Sequence, residues 1–184
     1  MKRLMLIALF VLVAFSTNAA LKSPPATSAA DLRFDISFPA SSSKEALDGR
    51  LLLLLSTNND SEPRLQISED LTTQQVFGVD VDGWKPDQTK SVDQSAFGYP
   101  VRSLSQVKPG EYWVQALLHR YETFKRSDGH TVKLPMDRGE GQQWSRAPGN
   151  LYSAPKQIRI DANTASPVAI TLDKVIPPIE PPKD

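Results

Sequence analysis

Serine and lysine at the spacing of an acylating hydrolase are the first residues that could do chemistry. Ser41 and Lys44 match Ser-x-x-Lys, in which the serine attacks a carbonyl group, and Ser127-Asp128 loosely resembles a second motif of the same enzymes. That chemistry requires the serine to open a helix and a Lys-Thr-Gly motif elsewhere, which the chain does not contain. A Gly-x-Ser-x-Gly nucleophile turn is also missing. We therefore predict no catalytic residue and a protein that is not an enzyme.

Cysteine and histidine, the usual ligands of transition metals, are sparse. The chain has no cysteine, and His119 and His130 do not have the i,i+2 or i,i+4 spacing of paired ligands. Asp80 and Asp82 before Gly83 resemble part of a calcium loop, but the third oxygen ligand and the distal glutamate are missing. Aspartates before a glycine are ordinary turn residues. We predict no metal and no cofactor.

A binding surface is the better candidate for function. Residues 136–144 combine charge, glycine and an aromatic in one long segment, and loops on rigid β-scaffolds carry recognition. Trp113, Tyr121, Arg138 and Trp144 could form a surface for carbohydrate or protein. In the other interpretation, which we favour, Trp144 folds back over the sandwich and the loop charges pair locally, because aromatics bury apolar area first.

Alternating strands must position these residues. Tyr112, Val114, Ala116 and Leu118 share one parity and therefore one face of a sheet, after a Pro-Gly turn. Similar short segments predict about eight strands, and no convincing amphipathic helix is visible. They fall within the extended segments 32–38, 51–55, 64–68, 77–82, 97–104, 111–124, 131–134, 157–160 and 168–172. Asp128-Gly129 predicts a turn after which residues 131–134 pair back as a hairpin. We predict an all-β fold, an immunoglobulin-like antiparallel β-sandwich over residues 31–173.

The same alternation predicts which side chains are buried. The expected core consists of Phe34, Ile36, Leu53, Val79, Val114, Leu118, Ile158 and Ile170. Leu65 and Ile67 are expected to point inward from a short strand. Five consecutive leucines at 51–55 predict a strand that is buried on both faces.

The two ends differ from the middle. Residues 1–20 predict a signal peptide, with Lys2 and Arg3, 12 apolar residues at 4–15 and small residues at the cleavage site. An uncleaved anchor is the alternative, although a spanning helix needs about 20 residues. Residues 21–30 predict a disordered lead-in. Residues 174–184 carry four prolines and predict an extended linker or a frayed tail.

The net charge of the chain limits the classes of partner that it can attract. The chain has 21 basic and 21 acidic side chains, and loss of Lys2 and Arg3 leaves 19 basic residues and a net charge of −2. That balance provides no attraction for nucleic acid or for an anionic membrane. We expect an exported protein, periplasmic or extracellular, that binds no nucleic acid and no membrane after signal cleavage.

Several motifs together carry a resemblance. They are VFGVDVDG at 76–83, AFGYP at 96–100, PGEY at 109–112, HRYETF at 119–124 and LPMDRGEG at 134–141. With them the chain resembles the N-terminal β-sandwich region of large exported bacterial proteins described as esterases or hypothetical proteins. The resemblance implies that a hydrolase-like region lies beyond the proline-rich segment in those proteins, and none of the matching positions is catalytic there.

The function expected on these grounds is a non-catalytic accessory or interaction domain of an exported protein. It would be the N-terminal module of a larger hydrolase, or would work beside a hydrolase domain or another exported protein. The alternatives are a carbohydrate-binding module, which requires exposed aromatics from among Trp84, Trp113, Tyr121 and Trp144, and a stand-alone secreted hydrolase.

Overall fold

Strands make up 44% of the described part of the chain. A computed structural model describes residues 32–70, 73–161, 164 and 167–180. The predicted signal peptide, the predicted lead-in and residue 31 lie outside the described residues. Within these ranges no helix is long and apolar enough to cross a membrane. In this part of the chain, the regular elements other than strands are two short 3-10 turns, Pro63–Leu65 and Leu104–Gln106.

Two open sheets contain these strands. The smaller sheet consists of β1 (Phe34–Ser37), β4 (Lys90–Val92) and β10 (Val168–Thr171). Its order is β10-β1-β4, with β1 parallel to β10 and antiparallel to β4. This parallel pair joins segments from near the two ends of the described chain.

The larger sheet is antiparallel and is built around three long strands. Its central strands are β2 (Leu47–Ser56), β3 (Gln75–Trp84) and β6 (Gly110–Lys125). Its short strands are β5 (Phe97–Tyr99), β8 (Leu151–Tyr152) and β11 (Lys174–Val175), which complete the order β11-β8-β6-β2-β3-β5. Two further strands, β7 (Thr131–Leu134) and β9 (Lys156–Ile160), pair with the two ends of β6.

The main core lies between the two sheets, which is consistent with an all-β sandwich. Six of the eight side chains expected in the core are buried: Phe34, Ile36, Leu53, Val114, Leu118 and Ile170. The prediction is wrong for Val79 and Ile158, which are only partly buried. β5 covers β3 only from Val76 to Gly78, and β9 has no second neighbour, so both residues lie near an open edge.

The five leucines confirm a strand that is buried on both faces. Leu51, Leu53 and Leu55 belong to the main core, whereas Leu52 and Leu54 belong to a second cluster with Leu117 and Ile176. This second cluster lies on the outer face of the larger sheet. Alternation is absent from the sequence here because both parities are apolar.

The segment after this strand differs from the prediction. Leu65 and Ile67 are exposed, and the chain there forms a 3-10 turn instead of a strand. Pro63 opens that turn with a fixed φ and no donor. The N–H of Arg64 then donates to the side-chain oxygen of Gln115, at 3.0 Å, so it is not used for pairing with a neighbouring strand.

The C-terminal side of the domain extends beyond the expected boundary. We expected the sandwich to end at residue 173, but Lys174–Val175 form β11 and pair with β8. The next residue, Ile176, is buried in the outer-face cluster. Its N–H and C=O bond to Asn150 and Gly149, at 2.9 and 2.8 Å. The beginning of the proline-rich segment is therefore part of the folded domain.

A hairpin at the end of β6 is tied to the sheet by one lysine. β6 and β7 join through the Asp128-Gly129 turn, as predicted. The Lys133 ammonium on β7 lies 2.8 Å from the Asp48 carboxylate and also binds Asp82. The N–H of Gly83 donates to the same Asp48 side chain, at 2.7 Å. These bonds lower the pKa of Asp48, with Lys133 the main cause.

Replacing Asp48 by asparagine should remove a pH-dependent part of the stability. A carboxylate whose pKa is lowered by folding stabilises the fold fully above its ordinary value of 3.8, and loses that effect as the pH falls through the folded value. We expect Asp48→Asn to lower the melting temperature at about pH 7 and to have little effect at about pH 2. Asp60→Asn is the control, because this exposed carboxylate accepts no hydrogen bond from a described residue. A difference that is the same at both pH values would contradict the assignment.

Candidate functional site

The four candidate binding residues do not form one surface. Trp113 and Tyr121 lie on the outer face of β6 but eight residues apart, which separates them by about 27 Å. Tyr121 packs against His119, with ring centroids 5.7 Å apart, whereas Trp113 lines a separate cavity. A single flat aromatic platform for a long polysaccharide is therefore not formed by this pair.

The other two tryptophans have packing roles. Trp144 packs on the outer-face cluster with Leu52, Leu54, Leu117 and Ile176, so it covers the sandwich as the favoured interpretation predicts. Trp84 is fully buried in the main core, edge-on to Phe38 at 4.9 Å. Its indole N–H donates to the Gln88 carbonyl, so Trp84 is not available to a ligand.

Arg138 anchors the long loop to the sheet. Its guanidinium forms an ion pair with Glu122 on β6. Its backbone N–H donates to the Glu140 carboxylate at 2.8 Å, and the N–H of Gly139 donates to Asp137 at 2.8 Å. The loop charges thus pair locally, but Arg138 also reaches the strand.

Arg138 and Arg120 share a cleft that we call the arginine cleft. It has a narrow part of about 20 Å³ beside His119 and Glu122, and a wider part of about 420 Å³ towards the C-terminal segment. Pro148 lines both parts with the two arginines. The remaining lining residues of the wider part are Gly149, Val175, Ile176, Pro178 and Ile179. The cleft thus combines cations with an apolar wall.

Asn150 holds the three segments of this cleft together. It is buried, and its side-chain oxygen accepts from the N–H of Arg120 at 2.9 Å. Its amide nitrogen donates to the carbonyl of Trp144, at 2.8 Å, and its own carbonyl accepts from Ile176. Gly149, at φ +84°, makes the turn that brings these groups into position. One side chain therefore fixes β6, the long loop and the C-terminal segment relative to one another.

The arginine cleft carries a net positive charge. Its charged lining residues are Arg120, Arg138 and Glu122, which leave a net charge of +1. Among the described residues, no carboxylate lies within ion-pair distance of Arg120, whose guanidinium only donates to the Gly149 carbonyl at 3.3 Å. Burial lowers the pKa of His119 despite the opposing charge of Glu140, so this ring is neutral at neutral pH. The free cation of the cleft is Arg120.

Exposed apolar side chains border the arginine cleft. Met136, Val175 and Ile179 are between 40% and 53% exposed, although each lines the cleft. Clustered exposed apolar residues around an arginine are typical of a surface that binds another molecule.

Comparison with known proteins adds no relative. No family model, no curated protein and no solved structure matches the chain. Across the described ranges, no group of three or more metal-binding side chains is placed to hold an ion. The resemblance to exported esterase-type proteins stays a prediction.

Proposed function

We propose that this chain is a non-catalytic, immunoglobulin-like interaction module of an exported protein, and that it docks an apolar, acidic segment of a partner protein at the arginine cleft. The observation that carries the proposal is the Arg120 guanidinium, exposed and without a carboxylate partner among the described residues, next to exposed Val175 and Ile179. A carboxylate of the partner would pair with Arg120, and apolar side chains beside it would cover the isoleucine and valine.

A protein segment suits the arginine cleft better than a compact small ligand. The wider part is open to solvent, and its lining combines two arginines with several apolar residues. Small-molecule sites are usually concave and bury most of the ligand, whereas arginine next to exposed apolar groups is enriched at protein interfaces. The prolines after β11 lack N–H groups, which limits strand addition at that edge. Recognition would therefore depend on side chains.

The hydrolase region implied by the resemblance is the first partner to test. In those proteins it lies beyond the proline-rich segment. Pro178 and Ile179 of this segment line the arginine cleft here. A region joined through this segment would therefore start next to the cleft. The short connection would give it a high effective concentration there, which favours docking.

A displayed peptide library tests the proposal. We expect selection on the purified chain to enrich peptides in which Asp or Glu stands next to Leu, Ile or Phe. Arg120→Glu should weaken binding of the enriched peptides at least tenfold, since a like charge then faces the peptide carboxylate. The matched control is Arg102→Glu, an exposed arginine that lines neither part of the arginine cleft.

A second measurement locates the peptide on the surface of the protein. Backbone NMR signals of Arg120, Arg138 and Ile176 should shift on adding an enriched peptide. Enrichment of peptides without acidic residues, equal binding by the Arg120→Glu variant, or no enrichment at all would overturn the proposal.

A further inference from the structure

A second cavity lies at the other end of β6. Trp113 lines it, seven residues and about 24 Å from Arg120 along the strand. Its volume is about 270 Å³, and its lining residues are Asn59, Ser61, Glu62, Pro63, Trp113 and Pro155. We call it the tryptophan pocket. It combines an aromatic ring and two prolines with short polar side chains, on a part of the surface separate from the arginine cleft.

Hydrogen bonds from two neighbouring side chains fix the position of the Glu62 carboxylate in the tryptophan pocket. Its Oε2 accepts from Arg64 Nε at 2.7 Å and from Gln115 Nε2 at 2.8 Å. Gln115 is fully buried and also donates to the Ser153 carbonyl, at 2.8 Å, so its position is fixed. No described group donates to Glu62 Oε1. One oxygen of a rigidly positioned carboxylate is therefore free to accept a hydrogen bond.

The electrostatic setting of Glu62 favours a neutral ligand. Burial by itself would raise the pKa of Glu62, but the bonds from Arg64 and Gln115 outweigh burial and lower it. Glu62 is therefore an ionised acceptor at neutral pH. Because Arg64 already balances its charge, the tryptophan pocket offers an acceptor without a net attraction for cations.

The remaining polar side chains of the tryptophan pocket form no hydrogen bond with a described residue. Trp113 is half-buried, and its indole N–H donates to no described residue. The Asn59 and Ser61 side chains are exposed and form no hydrogen bond within the described ranges. Pro63 and Pro155 add apolar surface to the lining. The pocket thus presents an aromatic face together with separate donors and acceptors.

We propose that the tryptophan pocket binds a short neutral saccharide. A sugar ring has an apolar C–H face that stacks on an indole, and hydroxyl groups at its edge that need both donors and acceptors. One hydroxyl donates to Glu62 Oε1, and others exchange hydrogen bonds with Asn59, Ser61 and the indole N–H. The volume lies near the lower end of small-ligand sites, about 300 Å³ and upward, which fits a chain end or a short oligosaccharide. This site is independent of the arginine cleft.

NMR titration of the full chain tests this proposal with cellopentaose, chitopentaose and mannopentaose as probes. The chain has three tryptophans, so three indole N–H signals report separately on the core, the outer-face cluster and the tryptophan pocket. At least one probe should shift the Trp113 signal and leave those of Trp84 and Trp144 unchanged.

Substitutions make the assignment specific. Trp113→Ala should weaken binding at least tenfold, and Asn59→Ala, at an exposed position, should weaken it severalfold. Trp144→Phe is the matched aromatic control and should bind normally. The proposal is overturned if none of the probes shifts the Trp113 signal, if Trp144→Phe loses binding equally, or if a synthetic peptide of residues 176–183 shifts that signal while the sugars do not.

Discussion

Replacing Val114 by aspartate is expected to destabilise the domain by roughly 4 kcal/mol or more, enough to unfold most of it. Val114 is 1% exposed on the inner face of β6, where it packs between the two sheets. An aspartate there has no cation to pair with among the apolar residues of the core, so it must either stay protonated or force the sheets apart. Urea denaturation followed by far-ultraviolet circular dichroism measures the loss.

The control for this variant lies on the same strand. Thr123 is exposed in the C-terminal half of β6 and pairs with Lys133 on β7, so Thr123→Asp introduces the same charge on the surface. We expect a change within about 0.5 kcal/mol. If Val114→Asp were as stable as Thr123→Asp, the assignment of Val114 to the buried face would be wrong.

Replacing Gly49 by alanine is expected to cost on the order of 3 kcal/mol. At Gly49 the register of β2 with β3 shifts, and the backbone of β6 comes very close. A Cβ atom at this position would lie 2.2 Å from the carbonyl oxygen of His119. Because that neighbour is backbone in a central strand, it cannot rotate away, and β2 would have to move off β6.

Gly110 provides the matched comparison, again by urea denaturation. It lies at the start of β6, and the nearest atom to a Cβ there is a ring carbon of Tyr112, at 3.5 Å. Gly110→Ala should therefore change the free energy of unfolding by less than about 0.5 kcal/mol. An equally small effect of Gly49→Ala would contradict the close approach of β2 and β6.

Alternation made part of the fold predictable. The parity of Tyr112, Val114, Ala116 and Leu118 identifies the inner face of β6, because a strand has two faces and only one of them meets the other sheet. Turn residues were equally informative at Asp128-Gly129. Such signals are local: each depends on a few neighbouring residues and needs no knowledge of the partner strand.

The features that were missed depend on contacts between distant segments. Lys174–Val175 carry no strand signal next to four prolines, and they become β11 only because β8 offers an open edge. Arg120 was not singled out, since its position in the arginine cleft depends on Asn150, thirty residues later in the sequence. A Pro-Gly-Asn turn at 148–150 was the available hint, but periodicity does not indicate which loops meet.

The double burial of the five leucines has a consequence for solubility. A run of consecutive leucines in an extended conformation, without charge or proline, has the character of a segment that self-associates when exposed. Neighbouring strands protect its edges, and its outer face is covered by Trp144, Tyr152, Ile176 and the segments that carry them. The long loop and the end of the described chain therefore shield this run of leucines from self-association, and their sequences must preserve this cover.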